Sequence, residues 1–141
     1  MRRALAIVAA LGGALALLAG KPGPAVNVQQ LAKAVAHEDD HVTAGELTAW
    51  IRDRKPGLRV IDLRTPAEFA QYHLPRAENL SIEAVTAAPF RPSETIVLIS
   101  DAGGHAAQAW VFLRVLGHRR VFFLRGGVQE WTGGRGRSGG C

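Results

Sequence analysis

The chain has 141 residues, of which 48% are hydrophobic and 21% charged, a balance typical of globular proteins. This length has room for one domain whose core buries most of its apolar surface. The single cysteine, Cys141, excludes an internal disulfide framework and a cysteine-rich metal site. No segment repeats with a period of about 20 to 50 residues, which excludes solenoids and propellers.

The net charge of +5 is concentrated at the two ends of the sequence. Arg2 and Arg3 precede an apolar run, and Arg135 and Arg137 lie in a glycine-rich tail, so the body between them carries +1. A nearly neutral body without a basic stripe offers no electrostatic surface for a polyanion. We therefore predict that the protein does not bind nucleic acid.

Residues 1–20 have the pattern of a signal peptide or an N-terminal membrane anchor. Arg2 and Arg3 are followed by the apolar run 4–19, and no clean small-x-small cleavage site comes after it. As a helix this run spans about 24 Å, which is short of the ~30 Å hydrocarbon core, although a locally thinned bilayer could hold it. We predict an exported protein in the periplasm or another extracytoplasmic compartment. The run 4–19 is then either removed or kept as a membrane tether.

Residues 21–41 are predicted to form a linker with a short helix. Proline and glycine come first, and Val28–Ala36 has weak helical patterning. His37 and His41 are four residues apart with carboxylates between them, which is a ligand spacing if both lie on one helix face. A solvated, charged boundary explains them more simply, and no third ligand is visible. No metal site is predicted.

The domain itself is predicted at 42–132, where helices alternate with strands. Capping boxes at Thr43–Glu46 and Thr65–Glu68 indicate two helix starts. The run Thr95–Ile99 is continuously apolar, as expected when both faces of a strand are buried in a parallel sheet. Other strands are predicted at Arg59–Leu63, near Asn79–Ser81 and at Val121–Leu124, and other helices at Ile82–Ala88, at Ala106–Leu116 and up to Trp131. The pattern predicts an α/β fold with helices on both faces of an open, mostly parallel sheet.

A loop between the Thr95–Ile99 strand and the next helix is the candidate binding site, because ligands of such sheets bind beyond the carboxyl ends of the strands. Its two glycines can adopt positive φ, which lets successive backbone N–H groups face one point. The positive end of the helix dipole adds to this arrangement. The sequence therefore predicts an anion-binding loop, the anion loop, made of Ser100, Asp101, Ala102, Gly103, Gly104 and His105.

Several ordered segments between Val42 and Trp131 resemble the rhodanese, or thiosulfate sulfurtransferase, family. The matching segments are Val60–Arg64 with Pro66–Phe69, His73–Pro75 with Ala77–Asn79, Ile96–His105, and Leu124–Trp131. The resemblance implies a parallel sheet of about five strands flanked by helices. It also implies that Ser100 stands where the family carries the cysteine that accepts sulfane sulfur.

Serine at this position changes the chemistry that the resemblance implies. A thiolate, stabilised by a helix N-terminus, can hold sulfur as a persulfide. A serine hydroxyl is far less acidic and cannot, so we predict no persulfide transfer at Ser100 and name no confirmed catalytic residue. Ser100 could be an oxygen nucleophile only beside a base, for which His105 is the nearest candidate. Asp101 adds a negative charge to the loop, and Tyr72 and Arg76 replace glycines usual around His-Leu-Pro.

Five further residues are predicted to support the anion loop without taking part in chemistry. Asp62, Arg64 and Glu68 are expected to organise the corner between the Arg59–Leu63 strand and the following helix through caps and ion pairs. Gly126 and Gly127 are expected to allow the backbone to approach the loop closely.

Residues 133–141 are predicted to form a flexible tail ending in Cys141. Fully extended, this tail spans up to ~30 Å, so its thiol could reach the loop or a partner.

Three functions of the protein remain open. One is a module that binds an anion or a protein, or regulates one, without sulfurtransferase activity. The second is an enzyme using Cys141, a partner's thiol or Ser100, and the third is a membrane-tethered interaction domain. The predicted partner is a small anion or a thiol-bearing protein, and no cofactor is predicted.

Overall fold

The computed structural model describes residues 27–137. The predicted leader, residues 1–20, and Cys141 lie outside the described residues. In chain order, the elements are α1 (Val28–Ala36), β1 (His41–Val42), α2 (Ala44–Arg52), β2 (Leu58–Asp62), α3 (Pro66–Gln71), β3 (Ala77–Asn79), α4 (Ile82–Ala87), β4 (Thr95–Ile99), α5 (Gly104–Val115), β5 (Val121–Leu124) and α6 (Gly127–Arg137). Within the described range, none of these helices has the length and apolar character needed to span a bilayer.

The five strands form one sheet in the order β1-β5-β4-β2-β3, and every neighbouring pair is parallel. All five residues of the central strand β4 are buried, as its continuous apolar run predicts for a strand covered on both faces. The predicted α/β fold with an open parallel sheet is therefore confirmed. The edge strand β1 was not predicted separately, because its two residues, paired with Phe123 and Leu124, are too short for a periodic pattern.

Successive residues of β4 point into two separate cores, one on each face of the sheet. Ile96 and Leu98 pack in the core that α1, α4 and α5 cover, with Trp110 at its centre. Val97 and Ile99 pack in the core that α2 and α6 cover. The two cores fix the height of α5 and α6 against the sheet, and therefore position the N-termini of both helices at its carboxyl edge.

Helix α1 corrects part of the linker prediction for residues 21–41. Its Ala34 is buried and Leu31 packs against the same core as Trp110, so this segment is part of the folded unit. The helix ends at Ala36, and His41 lies in β1, hydrogen-bonded through Nδ1 to Asp40 at 2.9 Å. The two histidines therefore do not share a helix face. Within 27–137, no cluster of three His, Cys, Asp or Glu side chains is arranged to hold a metal ion.

Three element boundaries differ from prediction because tertiary contacts determine them. Strand β3 ends at Asn79, in register with the last residue of β2, and so lies two residues earlier than expected. Helix α5 begins at Gly104, directly after a glycine with positive φ. Helix α6 continues to Arg137, into the segment 133–141 predicted to be flexible. Once Trp131 and the preceding turn are anchored in the core, adding further helical residues costs less than starting a helix.

Candidate functional site

Ser100 lies at the centre of the anion loop, directly after β4, and is only 3% exposed. Its Oγ accepts hydrogen bonds from the backbone N–H groups of Gly103 at 3.1 Å and Ala106 at 3.3 Å. Within the described part of the chain, the hydroxyl proton has no acceptor of its own. The loop thus wraps around an oxygen atom that can still donate one hydrogen bond.

The backbone of the anion loop retains further unused donors. Gly103 has φ 92°, which a residue with a side chain rarely adopts, and directly precedes α5. The amides of Ala102, Gly104 and His105 make no hydrogen bond to any described residue. The first turn of α5 contains no acidic side chain. Free N–H groups at a helix N-terminus are the arrangement that binds anions in many proteins.

Helix α6 holds the anion loop from behind. Its amides at Val128 and Gln129 donate to the carbonyl oxygens of Ser100 at 3.0 Å and Asp101 at 3.1 Å. Gly127 has φ 58° and lies so close to the loop that a Cβ atom there would overlap both of these oxygens. The predicted close approach is therefore seen at Gly127, where no larger residue fits.

The predicted supporting pair, Asp62 and Arg64, forms a buried corner between β2 and α3. The Asp62 side chain is fully buried and accepts from the Arg64 backbone N–H at 3.0 Å and from Nη2 at 2.7 Å. These side-chain hydrogen bonds to Asp62 raise the pKa of Arg64. A second bond from Arg64 Nη2 reaches the carbonyl oxygen of Tyr72 at 2.7 Å. Arg64 Nη1 also lies 3.9 Å from Asp101 Oδ1, so one cation links the corner to the loop and offsets its carboxylate.

Glu68 belongs to the N-terminal cap of α3, whereas His105 belongs to the anion loop. The side chain of Glu68 completes a capping box with Thr65, and hydrogen bonds from the Thr65 hydroxyl and backbone N–H lower the pKa of Glu68. His105 is exposed and makes no hydrogen bond to Ser100. Among the described residues, no base contacts the Ser100 hydroxyl. The geometry therefore gives no support to an activated serine nucleophile.

Two residues near the site were not singled out from the sequence. Asn79 Nδ2 donates to the carbonyl oxygens of Asp62 at 3.0 Å and Arg64 at 2.8 Å, which fixes the corner. Arg125 directly follows β5, is exposed, and has no ion pair with any described residue. The backbones of its neighbours border Gly103, so Arg125 is a cation beside the loop. Its place at the carboxyl end of a parallel strand was the available signal.

The chain is similar in sequence to one known protein family and to a protein of known description. The sequence profile described as Rhodanese-like domain matches residues 43–133, which is more than half of the chain. A sulfurtransferase from Allochromatium vinosum is 36% identical over 78 residues, which cover 52% of this chain and 70% of that protein.

Solved structures agree on the fold. The human single-domain sulfurtransferase TSTD1 superposes with a TM-score of 0.58 at 21% identity, over 66% of this chain and 95% of that one. A rhodanese-related protein from Thermoplasma volcanium gives a TM-score of 0.59 at 22% identity, over 67% and 92% of the two chains. Such identities show the fold alone. Taken with the profile match and the five-stranded parallel sheet, they lead to one conclusion: this chain belongs to the rhodanese-like domain family.

Proposed function

We propose that this rhodanese-like domain binds a small oxyanion in its anion loop and does not transfer sulfur at position 100. The observation that carries the proposal is the set of loop donors that have no acceptor among the described residues: the hydroxyl of Ser100 and the amides of Ala102, Gly104 and His105. Several N–H and O–H groups directed at one point can bind the oxygens of a sulfate-like group.

The absence of a thiol in the loop supports the second half of the proposal. The atom surrounded by the loop amides is an oxygen, Ser100 Oγ. Sulfur transfer needs a thiolate that accepts sulfur as a persulfide, and a serine hydroxyl forms no comparable bond. By the resemblance, Ser100 stands where the family carries its cysteine. The loop would then keep the anion-binding part of the family site and lack the reactive sulfur.

The charges around the anion loop are mixed, which predicts modest affinity. Asp101 repels an anion, and Arg64 offsets it only in part because its closest partner is Asp62 at 2.7 Å. Arg125 and the positive end of α5 favour an anion.

We also propose that the domain is exported through its apolar leader. Outside the cytoplasm it would act as a regulatory or protein-interaction module, with a small anion or a thiol-bearing protein as its partner.

Sulfate and thiosulfate are expected to raise the melting temperature of the full chain above that measured in chloride at equal ionic strength. A ligand that binds only the folded state stabilises it by about 2.7 kcal/mol at 100 times its Kd. Arg125→Gln is expected to shift the sulfate dependence to several-fold higher concentrations. Arg91→Gln, which removes an exposed cation elsewhere, serves as the matched control.

The same titration can contradict the proposal in two ways. No stabilisation beyond that by chloride would show that the loop binds neither anion. Equal sulfate dependence in Arg125→Gln and the wild type would show that the stabilising anion binds away from the loop.

A further inference from the structure

A groove of about 660 Å³ lies between α1 and the C-terminal end of α5. The anion loop precedes the opposite end of this helix, whose 12 residues span about 18 Å, so the two features are separate. Apolar residues form part of the groove lining: Leu31, Ala34 and Val115. Its volume is within the range of roughly 300 to 1,000 Å³ that small-molecule sites occupy. We call it the basic groove.

Three permanent cations line the basic groove, and Asp39 is its single carboxylate. Lys33, Arg114 and Arg119 form no ion pair with a carboxylate anywhere in the described range. Arg114 donates through Nη1 to the carbonyl oxygen of Arg119 at 2.7 Å, and its Cζ lies 5.6 Å from the centre of the Trp110 ring; neither partner carries a counter-charge. Unpaired cations facing one concave space create a local positive potential, although the body of the chain is nearly neutral.

Helix ends do not cancel this positive potential. Both α1 and α5 direct their C-termini toward the groove, and exposed carbonyl groups there would repel an anion. Some of these carbonyl groups are already hydrogen-bonded: that of Lys33 in α1 by the backbone N–H of His37, and two in α5 by those of Gly117 and His118. The imidazole side chains of His37 and His118 also line the groove and add possible donors.

We propose that the basic groove binds a small phosphorylated molecule with an apolar or aromatic body. A phosphate monoester carries about two negative charges at neutral pH, which suits several unpaired cations better than a carboxylate does. The apolar part of the lining offers contact area for the rest of the molecule. The proposal concerns a second site and does not depend on anion binding in the loop.

The test measures binding of 4-methylumbelliferyl phosphate to the full chain by isothermal titration calorimetry. Inorganic phosphate and 7-methoxy-4-methylcoumarin represent the charged and the apolar halves of this probe. We expect the aryl phosphate to bind at least ~10-fold more tightly than either half, because it uses both the cations and the apolar lining. Backbone amide chemical shifts are expected to change in α1 and at the C-terminal end of α5.

The matched variants are Lys33→Gln with Arg119→Gln, and Arg54→Gln with Arg91→Gln. All four side chains are exposed, and each pair removes two positive charges. We expect the first pair to weaken binding of the aryl phosphate by about 10-fold or more, and the second pair to change it by less than about 2-fold. If the first pair lowers the melting temperature, Lys33→Arg with Arg119→Lys should retain binding, because both charges remain.

Three results would overturn the proposal. If both pairs of variants weakened binding of the aryl phosphate equally, the loss of net charge would explain the effect. Inorganic phosphate binding as tightly as the aryl phosphate would show that the apolar lining contributes nothing. Chemical-shift changes confined to residues 100–105 would assign the probe to the anion loop.

Discussion

Gly127→Ala is expected to lower the free energy of unfolding by about 3 kcal/mol. A left-handed backbone costs a residue with a side chain roughly 1–2 kcal/mol, and Gly127 has φ 58°. The new Cβ would also overlap the carbonyl oxygens of Ser100 and Asp101. These oxygens cannot withdraw without breaking their hydrogen bonds to Val128 and Gln129, so overpacking adds about 1–3 kcal/mol. Urea denaturation followed by circular dichroism measures the change.

Gly45→Ala is the control for this substitution. Gly45 lies in α2, where the nearest neighbour of an added Cβ is Thr43 Oγ1 at 4.0 Å. Alanine there is expected to stabilise the protein by about 0.5–1 kcal/mol, because it restricts the unfolded chain more than glycine does. A loss below about 1 kcal/mol for Gly127→Ala would show that α6 does not hold the loop as tightly as the contacts indicate.

Arg64→Met is expected to cost about 3–5 kcal/mol, because it leaves the fully buried carboxylate of Asp62 without a counter-charge. The hydrogen bond to the carbonyl oxygen of Tyr72 is lost as well. Replacing both partners, Asp62→Asn with Arg64→Met, should cost less than the single substitution, since no buried charge remains. Urea denaturation of the wild type, Asp62→Asn, Arg64→Met and the double variant gives the interaction energy of the pair directly.

The exposed pair Arg52–Asp53 is the matched comparison for the buried one. Its side chains are 73% and 63% exposed, and Arg52 Nε lies 2.8 Å from Asp53 Oδ1. Solvent screens such a pair, so Arg52→Met should lower the free energy of unfolding far less than Arg64→Met does. If Arg64→Met and Arg52→Met lowered the free energy of unfolding by similar amounts, burial would not make Asp62 more dependent on its counter-charge.

Local sequence patterns were sufficient where a segment contains its own signal. The apolar runs 95–99 and 121–124 are strands β4 and β5 as predicted. Thr43 and Thr65 each begin a helix with a complete capping box. Strand β1 was missed because its stability comes from pairing with β5, far along the chain, and two residues contain no period. The packing of α1 on the core was missed as well, because it depends on contacts with residues far along the chain.

The position of the anion loop could be predicted because strand ends in a parallel sheet meet at one edge. Its internal geometry could not. The two amides that bond Ser100 Oγ, and the 3.9 Å between Arg64 and Asp101, depend on how β2, β4 and α5 pack. The sequence shows that Asp101 adds a negative charge to the loop, and only the folded structure places a cation beside it.

The central claim is that the anion loop is intact and lacks only a thiol. In the test reaction, a Cys thiolate attacks the outer sulfur of thiosulfate, and sulfite leaves with the bonding electron pair. Cyanide then removes the sulfur from the persulfide as thiocyanate, which regenerates the thiolate. The variant Ser100→Cys supplies this thiolate at the N-terminus of α5, where the helix dipole lowers the pKa of a thiol. Combining it with Cys141→Ala removes the native thiol from the assay.

The most direct measurement is therefore thiocyanate formation from thiosulfate and cyanide by Ser100→Cys with Cys141→Ala, compared with Cys141→Ala alone. We expect turnover in the first protein and none above background in the second. Turnover by Cys141→Ala alone would contradict the claim that Ser100 cannot support sulfur transfer. A folded but inactive Ser100→Cys protein would contradict the claim that only the thiol is missing.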